Sequence, residues 1–477
     1  MEKQSEEDCG EKKPLPDDFC AFLPWACNQY QLDFLVVITR DLQNEYVSVH
    51  QGHHDRMKKG KSKAKLTSRM DVDSEDKDGK SDVFDTSFTT TSKTLKITAL
   101  YDANDNLIKL KFLKNKLIPQ KIWKIIGLMI QFQTYLTNIT INGGLDQYTI
   151  YEICKFLNTS HLTELILDYS FLGEANYYLL FESENPLRYI SLAGCGIDNT
   201  IVQTIASRLA YPLPASKKLR ILNLSSNKIT DSGAKHLADA LRSNRHLTYL
   251  NIAGNRISDV GASYLFDVLS EFPLLTDEIM QSRQRHMDFL KHKNDVISKI
   301  LQDLKAGDFD KKASKRKSIR PPSTPSTKRG KLDKEGSLKS LVDPNAKSLI
   351  NVDMLLYDKA INMAENAIGD FEDPFSSSNT CVRDGILYCK GNNSLSYLNI
   401  GYNNLSYVSL NRILNVLLYQ KSLDRRPSGL INIIIEGNPM PASSLKINEI
   451  DDIIDRGLES FRRMSGFKKR PHSKTMK

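Results

Sequence analysis

Leu219 opens the line LRILNLSSNKITDSGAKHLADAL and Leu247 opens LTYLNIAGNRISDVGASYLFDVL, so one pattern occurs twice in succession. Asn227 returns as Asn255, and Gly233 as Gly261, at the same offset. In each copy leucines alternate with polar residues, as Leu222 and Leu224 do around Asn223, which makes a short strand with one apolar side. The run GAKHLADAL then sets Ala234, Leu237, Ala238 and Leu241 on one face of a helix. Neither half can bury its apolar side alone. Stacked copies can: the strands pair in parallel, the helices lie behind them, and one continuous core forms between. The Asn at the ninth position ends the strand, where its amide can satisfy backbone groups shut off from water. Asn227 and Asn255 therefore read as structural residues.

The frame L-x-x-L-x-L-x-x-N fits six further segments. Four start upstream at Leu107, Leu136, Leu162 and Leu187, and two start downstream at Leu395 and Leu430. Their ninth positions are Asn115, Gly144, Ser170, Cys195, Asn403 and Asn438. From Leu107 to Leu247 the steps between starts stay close to the roughly 20–29 residues of this repeat class. The longest step, from Leu187 to Leu219, contains YPLPASKK, which Pro212 and Pro214 argue against forming a helix. The frame resembles the long, ribonuclease-inhibitor-like leucine-rich repeat. It implies an α/β fold: a horseshoe solenoid with parallel strands inside, helices outside and a long, partly disordered insertion.

Six segments follow from this frame. Residues 1–47 hold a charged start and a small helical or irregular cap around DFCAFLPWACNQYQLDFLVVITRDL, and 48–93 read as a disordered linker. His50, His53 and His54 lie in that linker with no second ligand group, so they read as solvated side chains. Residues 94–272 carry repeats one to six. Residues 273–392 form an insertion: a long helix over 276–307, a basic loop and a short helix at MLLYDKAINMAENAI. The basic stretch 311–340 has eleven Lys and Arg against one Asp, one Glu and three Pro, and cannot build a core. Residues 393–463 hold repeats seven and eight with a terminal helix, and 464–477 form a basic tail. One solenoid is expected, with the strand at 397–400 beside the strand at 249–252.

The chain has 477 residues and a formal charge of +9. Its seven cysteines show no CxxC spacing, which argues for free thiols in a reducing compartment. Cys154 and Cys195 read as small buried thiols. The polar N-terminus does not resemble a signal peptide, and runs such as FLVVI are too short to span a bilayer. A soluble, intracellular, monomeric protein is expected, with the cytoplasm as its first compartment. There is no P-loop, no G-x-S-x-G and no HExxH, so no enzyme, cofactor or metal site is expected. His236 and His246 fall at a helix and a repeat joint, where surface packing accounts for them.

The inner face of the solenoid is the candidate site. The third frame position reads Lys109, Asn138, Glu164, Tyr189, Ile221, Tyr249, Tyr397 and Asn432. The fifth reads Lys111, Thr140, Ile166, Ser191, Asn223, Asn251, Asn399 and Ile434. Tyr189, Ile221, Tyr249 and Tyr397 would make a ridge flanked by Asn223, Asn251 and Asn399. Tyrosine joins a large apolar area to a polar tip, the composition of a protein-binding hot spot. Aromatic residues on a sheet also pack against one another, and that reading stays open. The basic stretch resembles a nuclear-import signal at KKASKRK and could attract nucleic acid or an acidic surface. It has no aromatic residue for base stacking, so nucleic acid is not the expected partner. Ser318 and Thr324 are candidate phosphorylation sites within it.

Three larger features carry a closer resemblance: the near-identical pair of repeats, the charged interruption followed by LSYLNIGYNNLSYVSL, and the stretches LLTDEIMQSRQRHMDFL and DFCAFLPWACNQYQLDF. Together they resemble the leucine-rich repeat-containing protein 71 family. The resemblance implies a non-enzymatic scaffold in motile cilia. On the residues alone, the first expectation is an adaptor that binds a protein on its concave face. The alternatives are a small-GTPase regulator or nuclease inhibitor, by analogy of fold, and a nuclear, nucleic-acid-associated protein recruited through the basic insertion.

Overall fold

The computed structural model describes residues 13–42, 93–316, 344–423, 425–441 and 444–464. The chain opens with α1 (Phe19–Gln29), β1 (Phe34–Leu42), β2 (Lys93–Tyr101) and β3 (Leu107–Leu113). Next come α2 (Gln120–Met129), β4 (Asn138–Asn142), α3 (Thr149–Leu157), β5 (Glu164–Ile166) and β6 (Tyr189–Ser191). The regular repeats give α4 (Asn199–Leu209), α5 (Ala215–Lys218), β7 (Ile221–Asn223), α6 (Asp231–Leu241), β8 (Tyr249–Asn251) and α7 (Asp259–Leu269). There follow β9 (Phe272–Pro273), α8 (Thr276–Arg316), α9 (Pro344–Ile368), β10 (Thr380–Arg383) and β11 (Ile386–Cys389). The last elements are β12 (Tyr397–Asn399), α10 (Tyr407–Ser422), β13 (Asn432–Ile434) and α11 (Leu445–Met464). They divide into two compact units, residues 1–270 with 392–477, and residues 271–391.

The first unit, the repeat unit, is built on a ten-stranded sheet in the order β1-β2-β3-β4-β5-β6-β7-β8-β12-β13. Every pairing in it is parallel except β2 with β3. The frame leucines and isoleucines fill the core: Leu110, Ile139, Leu165, Ile190, Leu222, Leu250 and Leu398 are all at most 1% exposed. Helix residues close it from behind, and Ala234, Leu237, Ala238 and Leu241 are buried as the helical spacing predicts. Strand β12 lies directly on β8, with Tyr397 opposite Tyr249 and Leu398 opposite Leu250. The ladder is thus continuous in space, although β8 ends at Asn251 and β12 begins only at Tyr397.

The ninth-position asparagines lock one turn to the next. Asn227 accepts from the Ile197 N–H at 3.0 Å and donates to the Leu192 and Leu224 carbonyls at 2.9 Å. Asn255 repeats this with Ile229, Leu224 and Ile252, and Asn403 with Ile257, Ile252 and Ile400. Each side chain satisfies buried backbone groups of two adjacent repeats, which would otherwise cost about 1–3 kcal/mol apiece. Where Cys195 takes the position, its thiol points at the Leu167 carbonyl 3.1 Å away. A second seam runs along the helix starts: Asp231 accepts from the Ser258 N–H and hydroxyl, and Asp259 accepts from both groups of Ser406.

The second unit, the inserted unit, carries a three-stranded antiparallel sheet, β10-β11-β9, and the helix pair α8 and α9. Ile297, Ala360 and Ala364 form the buried contact of the two helices, with Ile300, Leu301, Leu304 and Ile361 around it. Asp373, its side chain fully buried, accepts from Arg285 Nε at 2.6 Å and from the Ser282 hydroxyl at 2.9 Å. Phe371 stacks on His286 with ring centroids 4.9 Å apart.

Several expectations need correction. The N-terminal cap is not merely helical or irregular, because β1 joins the sheet as its edge strand. Val36 and Ile38 face the core side there and Leu35 and Val37 face out, a period-two pattern in a run of β-branched residues. The first repeat strand β3 meets an antiparallel neighbour, so the sheet is mixed at that end. YPLPASKK does contain a short helix, α5, because Pro214 is its N-cap and the ring fits where no intrahelical N–H is needed. Helix α8 runs on to Arg316, into the stretch expected to be a disordered loop. Its Lys- and Arg-rich sequence holds no proline before Pro321, and such residues favour helix. Helix α9 has 25 residues rather than being short. No helix among the described residues is long and apolar enough to cross a membrane.

Candidate protein-binding face

Side chains of one strand alternate between the core and the open side of the sheet. With Leu222, Leu250 and Leu398 buried, their neighbours must stand on the open side. The register makes two columns of them. Tyr189 pairs with Ile221, Ile221 with Tyr249, Tyr249 with Tyr397 and Tyr397 with Asn432. Ser191, Asn223, Asn251, Asn399 and Ile434 form the second column. All seven residues expected at the site, Tyr189, Ile221, Asn223, Tyr249, Asn251, Tyr397 and Asn399, thus lie on one face of one sheet. Each is half-buried.

The aromatic column is partly self-packed. The Tyr249 and Tyr397 rings are 6.0 Å apart between centroids and tilted by 33°. Burial raises the Tyr189 and Tyr249 hydroxyls above the ordinary tyrosine value, so both stay protonated at neutral pH. They remain able to donate.

The amide column has a fixed orientation. Asn223 Oδ1 accepts from the Ser225 N–H, Asn251 Oδ1 from the Ala253 N–H and Asn399 Oδ1 from the Gly401 N–H, each at 3.1 Å. Each of these oxygens thus accepts from the turn that follows its own strand. Asn223 Nδ2 donates to the Ser191 hydroxyl at 2.9 Å. Ser191 in turn donates to Asp168, which also accepts from the Ala193 N–H at 3.0 Å. This cross-strand chain is not visible in the frame, because Asp168 sits at the seventh position of a repeat whose turn is irregular.

Toward β3 the face becomes cationic. Lys109 and Lys111 stand on it beside Asn138 and Thr140. Burial, and then the neighbouring Lys111, pulls Lys109 below its ordinary value, while Glu164 opposes the shift. Glu164 is held by Asn138 Nδ2 at 2.5 Å. Among the described residues no group of three or more His, Cys, Asp or Glu is arranged to hold a metal ion. Ser318 and Thr324, like His50, His53 and His54, lie outside the described residues.

Comparison with known proteins agrees with this geometry at the level of the repeat. Residues 215–238 and 243–266 match the Leucine Rich repeat family. Among curated proteins none matches the sequence. Among solved structures, an internalin (inlF) from Listeria monocytogenes is similar at 13% identity, over 74% of this chain and 63% of that one, with a TM-score of 0.29. The chain therefore spans less than two thirds of that structure's length. Its own repeats, strands and asparagine ladder carry the conclusion: the chain contains leucine-rich repeats, and its repeat unit is a leucine-rich repeat solenoid.

Proposed function

We propose that this protein is a non-enzymatic scaffold that binds a protein partner on the inner face of its solenoid. The observation that carries the reading is the column Tyr189–Ile221–Tyr249–Tyr397, which offers four half-buried side chains of large apolar area in register, flanked by amides. Aromatic side chains lose little conformational entropy on docking and leave a hydroxyl for a hydrogen bond. The column needs no loop rearrangement to present them. The closer resemblance to the leucine-rich repeat-containing protein 71 family supports a ciliary setting for that scaffold. Proximity labelling in ciliated and non-ciliated cells tests the setting.

The face itself is tested by Tyr189→Ala with Tyr249→Ala. Hot-spot tyrosines typically lose about 2 kcal/mol each on truncation, so capture of the principal partner should fall by more than tenfold. The melting temperature should change little, because both rings stand outside the leucine core. Unchanged capture by the folded double variant, together with loss of capture on deleting 311–340, would move the function to the basic segment.

A further inference from the structure

We propose that the segment docking on this inner face is carboxylate-rich, with its acidic side chains over Lys96, Lys109 and Lys111 and its apolar side chains over Tyr249 and Tyr397. The inference rests on the reading that the inner face binds protein, and adds the chemistry of what it binds.

Two independent observations carry it. The first is the bias of the polar groups toward donors. Asn251 and Asn399 spend their oxygens on the Ala253 and Gly401 N–H groups, and among the described residues their Nδ2 groups have no acceptor. An amide held this way has N–H to offer a partner. The ladder fixes this orientation at successive strands, so the bias belongs to the fold rather than to one rotamer.

The second is the charge at the β2–β3 end. Lys96 stands on the open side of β2 opposite Val37, because Leu95 and Ile97 face the core. Lys111 is opposite Thr98 and Lys109 opposite Leu100, on the same side. None of the three forms an ion pair among the described residues. From residue 106 to residue 145 the chain has six lysines and no acidic residue. Four carboxylates share the face with them. Glu164 is held by Asn138, and Asp168 by Ser191 and Ala193. Asp41 lies on the same side of β1, opposite Leu100 in the row of Lys109, and Glu436 lies beyond β13. Lys109 and Lys111, two positions apart on one half-buried strand, repel one another, and a carboxylate partner relieves that repulsion.

The spacing sets the length of the ligand. From β3 to β12 there are six strand steps of about 4.8 Å, or ~29 Å. An extended segment of about nine residues covers that distance, and a helix of about nineteen does so at roughly 1.5 Å per residue. A single acidic side chain would not engage both zones.

The test is lysine footprinting of the full chain. Acetylation by an N-hydroxysuccinimide ester is followed at each lysine by mass spectrometry, with and without poly-L-glutamate at low salt. Lys96, Lys109 and Lys111 should be acetylated severalfold more slowly with the polymer, while Lys235, on helix α6 behind the sheet, keeps its rate. In a folded Lys109→Glu, Lys111→Glu variant the protection of Lys96 should be lost. Protection confined to the lysines of 311–340 and 464–477 would overturn the proposal. Equal protection of the inner-face lysines by a single-stranded oligothymidylate would also overturn it, since the face would then take any polyanion. Footprinting of the Tyr189→Ala, Tyr249→Ala variant separates this proposal from the reading beneath it. Lysine protection that survives there, with partner capture also unchanged, refutes the aromatic anchor but not the acidic chemistry.

Discussion

In the repeat unit one hydrogen-bond device recurs: Asn227, Asn255 and Asn403 each join two neighbouring turns through the same three groups. Among the described residues of the inserted unit the corresponding work falls to Asp373, which gathers Arg285, Ser282 and the Phe375 N–H. The repeat unit buries uninterrupted rows of leucine and isoleucine. The fully buried contact of α8 with α9 rests on Ile297 and two alanines. A repeated device distributes stability along the ladder and tolerates an interruption between two rungs. A single cluster concentrates stability and depends on each member. That difference explains how the whole of 271–391 can stand between α7 and β12 while the Asn392 N–H still bonds the Val268 carbonyl at 2.8 Å.

The largest expected effect follows from breaking one rung. Leu224 is fully buried, and Leu224→Asp puts an unpaired carboxylate into the stacked core. The effective penalty for such a group is several kcal/mol, comparable to the whole stability of a domain at about 5–15 kcal/mol. The repeat unit should lose its cooperative thermal transition, as read by circular dichroism. A variant that melts within a few degrees of the parent would mean that Leu224 is not in the core.

A smaller effect separates the units by thiol chemistry. Burial pushes the Cys195 thiol up to about 11 from an ordinary 9.0. The folded state therefore favours the protonated thiol, so this contribution to stability is complete below the ordinary value and is lost as pH rises through about 11. Cys195 should resist iodoacetamide until the repeats unfold, and repeat stability should fall over that window. Cys381 in the inserted unit is partly exposed, and its hydrogen bond to Glu271 raises its value. Glu271→Gln should therefore speed alkylation of Cys381 a few-fold at mildly alkaline pH and leave Cys195 unlabelled. Equal labelling of both thiols in the folded protein would remove the distinction.

The repeat unit is readable because its constraints are local. One frame places Leu222, Leu224 and Asn227 side by side, and the same spacing puts Tyr249 and Tyr397 on one face. Strand β1 is not legible, because it ends at Leu42 and its partner β2 begins only at Lys93, and nothing in FLVVITRDL names that partner. The β10–β11 hairpin does carry a local signal. Asp384 and Gly385 both have positive φ, at 50° and 77°, in the two-residue turn that an Asp-Gly pair favours. At the site, the columns follow from frame positions. The outward Nδ2 groups do not, because amide orientation depends on the turn N–H two positions further along the chain.

The most direct measurement excises residues 271–391, joins Ser270 to Asn392 through a short glycine–serine linker and follows thermal unfolding. If the ladder runs unbroken from β8 to β12, the shortened chain should give one cooperative transition close to that of the repeat unit in the full protein, with Tyr249 and Tyr397 still in contact. Loss of that transition, or separate melting of the segments before residue 270 and after residue 392, would contradict the account.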